Sequence, residues 1–179
     1  FALDNLWDGL GALIHSNKNA RYFVGKVTIY KEYPTVAREL IYEYMFRYFP
    51  DADQLITPKL PIVVSSKTKK AAQKLFTGKD ASSDYKALQK AVRNEGDSIP
   101  PLFNAYIGLS DTMRMFGSMI DHDFSSTFET GIMVTMANLL ETKKKRYIEP
   151  YIEYLKIVIE ERKKAKKLAK EQREARSLE

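Results

Sequence analysis

A chain of 179 residues, 44% of them apolar, is long enough for one domain with a real core and is not composed like a disordered segment. Its 29 Lys and Arg against 23 Asp and Glu leave a net charge of +6, an excess that attracts nucleic acid, acidic lipid headgroups or an acidic protein. The absence of cysteine excludes a disulfide framework and a thiolate zinc site, and no apolar run approaches the roughly 20 residues that cross a bilayer. Nothing reads as a signal peptide, so the expected location is the cytoplasm, with peripheral contact at the inner face of the membrane. The chain opens at Phe1, without an initiator Met and inside an apolar helical pattern, and so reads as a fragment or a processed chain. Leu178-Glu179 are assigned no function.

In chain order, Leu3, Leu6, Trp7, Leu10, Leu13 and Ile14 recur at helical spacing, with Asp4 or Asn5 as the cap. Gly9 and Gly11 weaken that helix locally and mark close packing. The cluster from His15 to Asn19 is a turn. Arg21 to Tyr30 is dense in β-branched and aromatic residues and predicts a strand, in which Gly25 marks a bulge or a close approach. Tyr33-Pro34 opens a helix to about Phe49, with an apolar face of Val36, Leu40, Ile41, Tyr44, Met45 and Tyr48, and Pro50 stops it. A Pro-punctuated connector and a short Ile62-Val63-Val64 run follow. Residues 67 to 93 predict two short helices split at Gly78, with Ala71, Leu75 and Phe76 inward on the first. Pro100-Pro101 opens a short apolar segment containing Leu102, Phe103, Tyr106, Ile107 and Leu109. Met113 to Ile120 and Gly131 to Met136 read as two strands joined through a polar stretch, a hairpin pattern. Beyond Glu141 the chain is helical, and Pro150 belongs in the first turn of the long C-terminal helix, not in its interior. Tyr147, Ile148, Tyr151, Ile152, Leu155, Val158 and Ile159 form its inward stripe. Past Ile159 the helix is basic, carrying Arg162, Lys163, Lys164, Lys166, Lys167, Lys170, Arg173 and Arg176.

Asp121-His122-Asp123 at the end of the first hairpin strand is where two kinds of ionisable group crowd together. A His beside a carboxylate supplies a general base near neutral pH. Strand alternation puts Asp121 and Asp123 on one face and turns His122 to the other. The competing reading is a polar strand end, with Asp123 satisfying amides of the next turn. A metal centre needs three convergent ligands, and the only histidines are His15 and His122, so none is assigned. Lys67, Lys69, Lys70 and Lys74 head a run of basic residues that extends to Arg93. It is either a docking face for an acidic partner or a solvated helical face. The basic tail lacks the bulky apolar face of an inserting helix, though it can lie near anionic lipid. Nucleic-acid binding needs aromatic residues interleaved with the basic ones as a stacking platform, or a reading helix, and the tail has neither.

Two segments carry a family resemblance. Arg21-Tyr22-Phe23-Val24-Gly25-Lys26-Val27 is similar to an Arg-Tyr-x-x-Gly-x-Val segment of the hemolysin-like acyltransferases of the GNAT superfamily, which include ornithine-lipid and glycine-lipid N-acyltransferases. Further on, Ile99-Pro100-Pro101-Leu102-Phe103, then Asp121-His122-Asp123-Phe124, then Gly131 to Met136, then Lys143-Lys144-Lys145-Arg146-Tyr147 follow the order of that family's C-terminal part. The resemblance implies an α/β fold, a mixed sheet with packed helices like the later part of a GNAT acyltransferase. The acyltransferase-like domain would span 1–150, with a basic helical insertion at about 65–95, and a basic C-terminal helix 151–179. The earlier strands and the acyl-thioester loop have no counterpart here. Gly9-Leu10-Gly11-Ala12 resembles the phosphate loop of acetyl-CoA-binding GNAT enzymes but fails as a match, because Leu6 stands where that loop has Gln or Arg and the period is helical.

The implied activity is transfer of a 3-hydroxyacyl or related fatty acyl group to the amine of a small amino acid, in aminolipid synthesis. No bound cofactor is implied. The donor is acyl-ACP, the thioester of acyl carrier protein, or acyl-CoA. Asp121, His122 and Asp123 are the candidate catalytic residues, and Lys67, Lys69, Lys70, Lys74 and Arg146 the candidate partner-binding residues. The reading from a different class is a non-catalytic basic adaptor for an acidic protein or an anionic membrane surface.

Overall fold

The computed structural model describes residues 2–17 and 19–176, with side chains at 6–17 and 19–169. The side chains of Leu3, Lys170, Arg173 and Arg176, and Leu178-Glu179 entirely, lie outside the described residues. In order, the elements are α1 (Ala2–Ser16), β1 (Tyr22–Ile29), α2 (Thr35–Tyr48), α3 (Ser66–Leu75), α4 (Ala81–Asn94), α5 (Pro101–Ile107), β2 (Arg114–Asp121), β3 (Thr127–Thr135), a 3-10 turn at Met136–Asn138, α6 (Glu141–Tyr147) and α7 (Glu149–Arg176). The fold is mixed α/β: helices, a three-stranded antiparallel sheet of order β1-β3-β2, and a long C-terminal helix. Residues 21–140 form one compact unit and residues 1–20 with 141–179 another.

In the first unit the β1–β3 register is unbroken, from Tyr22↔Thr135 to Ile29↔Phe128, and β2 joins the other side of β3 as a hairpin. The β2 ladder slips between Met115 and Gly117, where Gly117 takes φ +96° and Pro58 packs against it. The bulge expected at Gly25 is therefore in β2. Gly25 itself meets a close approach, since a Cβ there would lie 3.1 Å from the Tyr106 hydroxyl. Alternation sends Val27, Ile29, Phe128, Thr130, Ile132 and Ser118 to one sheet face and Lys26, Thr28, Glu129, Thr127 and Asp121 to the other.

Helix α2 covers the first of these faces. Its Tyr42 hydroxyl is buried beside the Ser118–Thr130 hydroxyl pair (2.7 Å), and its Arg38 guanidinium lies 3.5 Å from the Phe128 ring centroid. Residues 37–42 of α2 are all buried, which a single apolar stripe does not predict. The polar members are held by partners on neighbouring elements. Glu39 accepts from the Ser65 N–H (3.2 Å) and hydroxyl (2.6 Å) at the start of α3, while Ser65 caps α3 by accepting from the Thr68 N–H. Burial opposes the Glu39 charge, and these bonds with the Arg38 charge outweigh it, so its pKa falls below the ordinary value. On α3 the inward residues are Thr68, Ala72 and Phe76; Ala71 is exposed and Leu75 half-buried, a shift of the face from the sequence expectation. Gly78, at φ +74°, lies midway in the α3–α4 connection, and Asp80 caps α4 through the Ser82 and Ser83 amides.

In the other unit, α1 runs through Asp4 and Asn5, so neither is its N-cap. Trp7 is buried with its ring 5.9 Å from Tyr147, and His15 stands edge-on to Tyr151 at 5.8 Å. A Cβ on Gly11 would fall 1.9 Å from the Tyr147 carbonyl oxygen, so this glycine does mark close packing; Gly9 has open space. Helix α6 ends before Ile148 and α7 restarts with Pro150 in its first turn, where the missing N–H costs nothing. The inward stripe of α7 is half-buried at Tyr151, Ile152, Leu155 and Val158, but Ile159 is exposed.

Candidate functional site

β2 ends at Asp121 and the chain turns through residues 122–126, so Asp121 alone of the acidic triplet lies in the strand. The expectation that Asp121 and Asp123 share a strand face is corrected by this boundary. The turn also reassigns the structural role. Asp121 Oδ1, and not Asp123, accepts the turn amides, those of Asp123 and Phe124, both at 3.1 Å. Its other oxygen, Oδ2, faces Lys26 Nζ at 3.8 Å. His122 and Asp123 sit exposed in the turn.

The second strand brings in a carboxylate that the sequence reading missed. β3 starts at Thr127, four residues before the expected Gly131, and this adds Glu129 to the sheet. Glu129 pairs with Thr28 of β1 on one side and Met119 of β2 on the other. Its side chain is only 8% exposed. The Thr28 hydroxyl donates to both carboxylate oxygens at 2.9 Å, and the Thr127 hydroxyl donates to Oε1 at 3.0 Å. Oε2 is the less saturated oxygen, and Lys26 Nζ stands 3.6 Å from it. Lys26 thus lies between two carboxylates at distances beyond a hydrogen bond, with the exposed Phe124 ring 5.4 Å away.

This arrangement can hold an ammonium and take a proton from it. Two carboxylates on one sheet face attract a cationic amine, and the hydroxyls of Thr28 and Thr127 fix one carboxylate in a single orientation. Next to Lys26 the strands carry two glycines that neighbouring side chains cover: a Cβ on its partner Gly131 would meet the Phe116 ring at 3.3 Å, and one on Gly117 of β2 would meet Pro58 at 3.0 Å. The signal in the sequence was the alternation Thr127, Glu129 continuing into Gly131 to Met136. The polar residues hid it. Among the described residues no group of three His, Cys, Asp or Glu converges as a metal centre.

The candidate partner-binding residues fall in two places. Lys67, Lys69, Lys70 and Lys74 are exposed on α3. Arg146, in the unit formed by α1, α6 and α7, stands 3.4 Å from Asp8 and 5.4 Å from the Tyr147 ring, which gives it a structural partner in its own unit. Among the described residues no helix is long and apolar enough to cross a membrane.

Comparison with known proteins adds two relatives. The chain is 45% identical over 152 residues to a protein named glycine N(alpha)-acyltransferase from Phocaeicola vulgatus, a match covering 85% of this chain and 46% of that protein. It is 43% identical over 153 residues to a protein of the same name from Bacteroides thetaiotaomicron, covering 86% of this chain and 45% of that protein. No family model and no solved structure matches. The chain spans about half the length of the curated relatives it matches, and is similar to that half of two proteins named as glycine acyltransferases.

Proposed function

We propose that this chain is part of an N-acyltransferase that moves a fatty acyl group, such as a 3-hydroxyacyl group, from the thioester of acyl carrier protein to the amine of glycine or a similarly small amino acid, in aminolipid synthesis. The observation that carries the reading is the similarity, across most of this chain, to two proteins named glycine N(alpha)-acyltransferase. The paired carboxylates Glu129 and Asp121 support it, because an amino acid arrives as an ammonium and attacks only as the free amine. Membership of the hemolysin-like GNAT acyltransferases is part of the same proposal. It is supported by the ordered segments around Arg21-Tyr22, Pro100-Pro101 and Asp121-His122-Asp123-Phe124.

In this reading Glu129 Oε2 accepts the ammonium proton and Asp121 steadies the positive charge beside Lys26. The amine nitrogen attacks the thioester carbonyl, the C–N bond forms and the C–S bond breaks. The carrier leaves as a thiolate, which takes up the second proton that the attacking nitrogen loses on becoming an amide, and so becomes the thiol. Backbone N–H groups would hold the oxyanion of the intermediate. His122 and Asp123 stay within the proposal as groups of the adjoining turn that reach the acceptor. Contact with anionic lipid would come from the exposed basic residues between Arg162 and Lys166 on α7.

The test is release of carrier thiol by the intact protein, supplied with acyl carrier protein loaded with a 3-hydroxyacyl group. Glycine-dependent thiol release with formation of N-acylglycine is expected. A protein that binds the carrier but releases no thiol with any small amino acid would overturn the enzymatic reading in favour of the adaptor.

A further inference from the structure

Helix α3 concentrates charge in a way that its own stability does not explain. Its ten residues carry Lys67, Lys69, Lys70 and Lys74 and no acidic residue. All four lysines are exposed, and none is in an ion pair among the described residues. Lys67 and Lys70 are three residues apart, Lys70 and Lys74 four apart, so both pairs repel along one side of the helix. Lys67 also sits in the first turn, where the helix dipole disfavours a cation. Packing needs none of them, because Thr68, Ala72 and Phe76 anchor the helix.

Beside Lys69, on a different side of α3 from Lys67, Lys70 and Lys74, lies an apolar groove in the same compact unit. A cleft of about 470 Å³ is lined by Glu43, Phe46, Ile62, Val63, Val64 and Lys69. A second, of about 270 Å³, shares Phe46 and continues past Ile56 towards Phe116. Val63 is 77% exposed, Ile56 49% and Phe46 40%, a cluster of large apolar side chains left open to solvent. The carboxylate that also borders the second cleft, Asp51, is already matched by Arg114 at 3.4 Å.

We propose that α3 and the groove between Phe46 and Val63 form a docking surface for an acidic amphipathic helix of a partner protein. An apolar residue of that helix seats against Phe46 and Val63 and a carboxylate meets Lys69 at the groove edge, while Lys67, Lys70 and Lys74 on the adjoining side of α3 add to the attracting field. Charge complementarity selects this occupant: the rim is cationic and the floor apolar, so the fitting surface is anionic around an apolar centre. Glu43 inside the groove disfavours a continuous anionic surface such as a membrane or a phosphate backbone, while an individual apolar side chain can sit past it. The inference rests on the acyl-transfer reading for one point, that acyl carrier protein is such a partner and is the probe to use.

The experiment measures binding of holo acyl carrier protein to the intact protein in the absence of acceptor, so turnover plays no part. Lys69→Glu with Lys70→Glu is expected to slow association by about tenfold at low salt and to flatten its salt dependence. Val63→Asp is expected to speed dissociation by about tenfold, since groove contacts act mainly on the off-rate. Every substituted side chain is exposed, and unchanged melting temperatures show that the fold is kept. Carrier binding that is indifferent to both variants overturns the surface. So does binding to phosphatidylglycerol vesicles that the variants abolish while carrier binding stays intact. Thiol release from acyl-pantetheine separates the two ideas: a variant-sensitive binder without transfer defeats only the acyl-transfer reading, and transfer with variant-insensitive binding defeats only the surface.

Discussion

The Thr28 hydroxyl reaches across the β1–β3 pair and donates to both oxygens of the Glu129 carboxylate at 2.9 Å. These residues are 101 positions apart in the chain, so only the sheet brings them together. The bond holds Glu129 in one rotamer, with Oε2 turned towards Lys26.

Glu129→Gln is expected to lower glycine acylation by about 10² or more, the usual scale for a general base. Gln keeps an oxygen that can accept from Thr28, so the melting temperature should move by only a few degrees. Full activity in the folded variant rejects the role. Asp121→Asn should reduce activity less, because Asn can still accept the turn amides of Asp123 and Phe124. His122→Ala and Asp123→Asn, measured alongside, locate the catalytic group: loss in either without loss in Glu129→Gln moves it into the turn.

Asp84 is expected to contribute to acid stability. It is buried and gathers the Thr77 and Gly78 amides at 2.9 Å, the Thr77 hydroxyl at 3.1 Å and the Tyr48 hydroxyl. Burial pushes its pKa up, but these bonds outweigh burial and hold it down at about 2. A depressed carboxylate stabilises the fold fully above its unfolded value, near 4, and the contribution disappears as pH falls towards about 2. Asp84→Asn is therefore expected to cost about 2 kcal/mol at neutral pH and to weaken the acid-side dependence over that window. Thermal melts between pH 2 and 7 test this; parallel curves for the two proteins would refute it.

The hairpin turn stores strain at two serines. Ser125 and Ser126 take φ +54° and +55°, a left-handed conformation that costs a non-glycine residue about 1–2 kcal/mol. Ser125→Gly is expected to raise the melting temperature by about 2–4 °C, while Ser125→Ala should not, because Ala keeps the Cβ. Equal effects of the two substitutions would reject the strain argument.

Arg38 is buried without a carboxylate in ion-pair reach among the described residues, and its Nε has no hydrogen-bond partner. Burial lowers its pKa, and the neighbouring Tyr42 and Glu39 offset that only in part, while the guanidinium lies over the Phe128 ring. Arg38→Met is expected to leave the domain equally stable or more stable by about 1 kcal/mol, as for other desolvated charges replaced by apolar groups. Denaturant unfolding decides it, and a large loss of stability would show that Arg38 has a structural partner.

Local pattern determined much of this protein. The periodicities around Arg21–Tyr30 and Met113–Ile120, the breaks at Gly78 and Pro150, and the cationic face of α3 all follow from neighbouring residues, because propensity, capping and charge act within a few positions. What only the tertiary structure decided are the places where polar residues are buried. β3 extends back to Thr127 because Thr28, Ser118 and Lys26 on its neighbours satisfy Thr130 and Glu129. Residues 37–42 of α2 are buried all round because Ser65 takes up Glu39 and the sheet covers Tyr42. Asp121, not Asp123, serves the turn because the strand ends one residue after Ile120. A polar side chain looks solvent-facing until its partner is known, and the hydrogen-bond partners of Thr130 and Glu129 on the neighbouring strands lie 12 and 101 residues away. That distance is why the carboxylate pair of Asp121 and Glu129 emerges only when the three strands come into register.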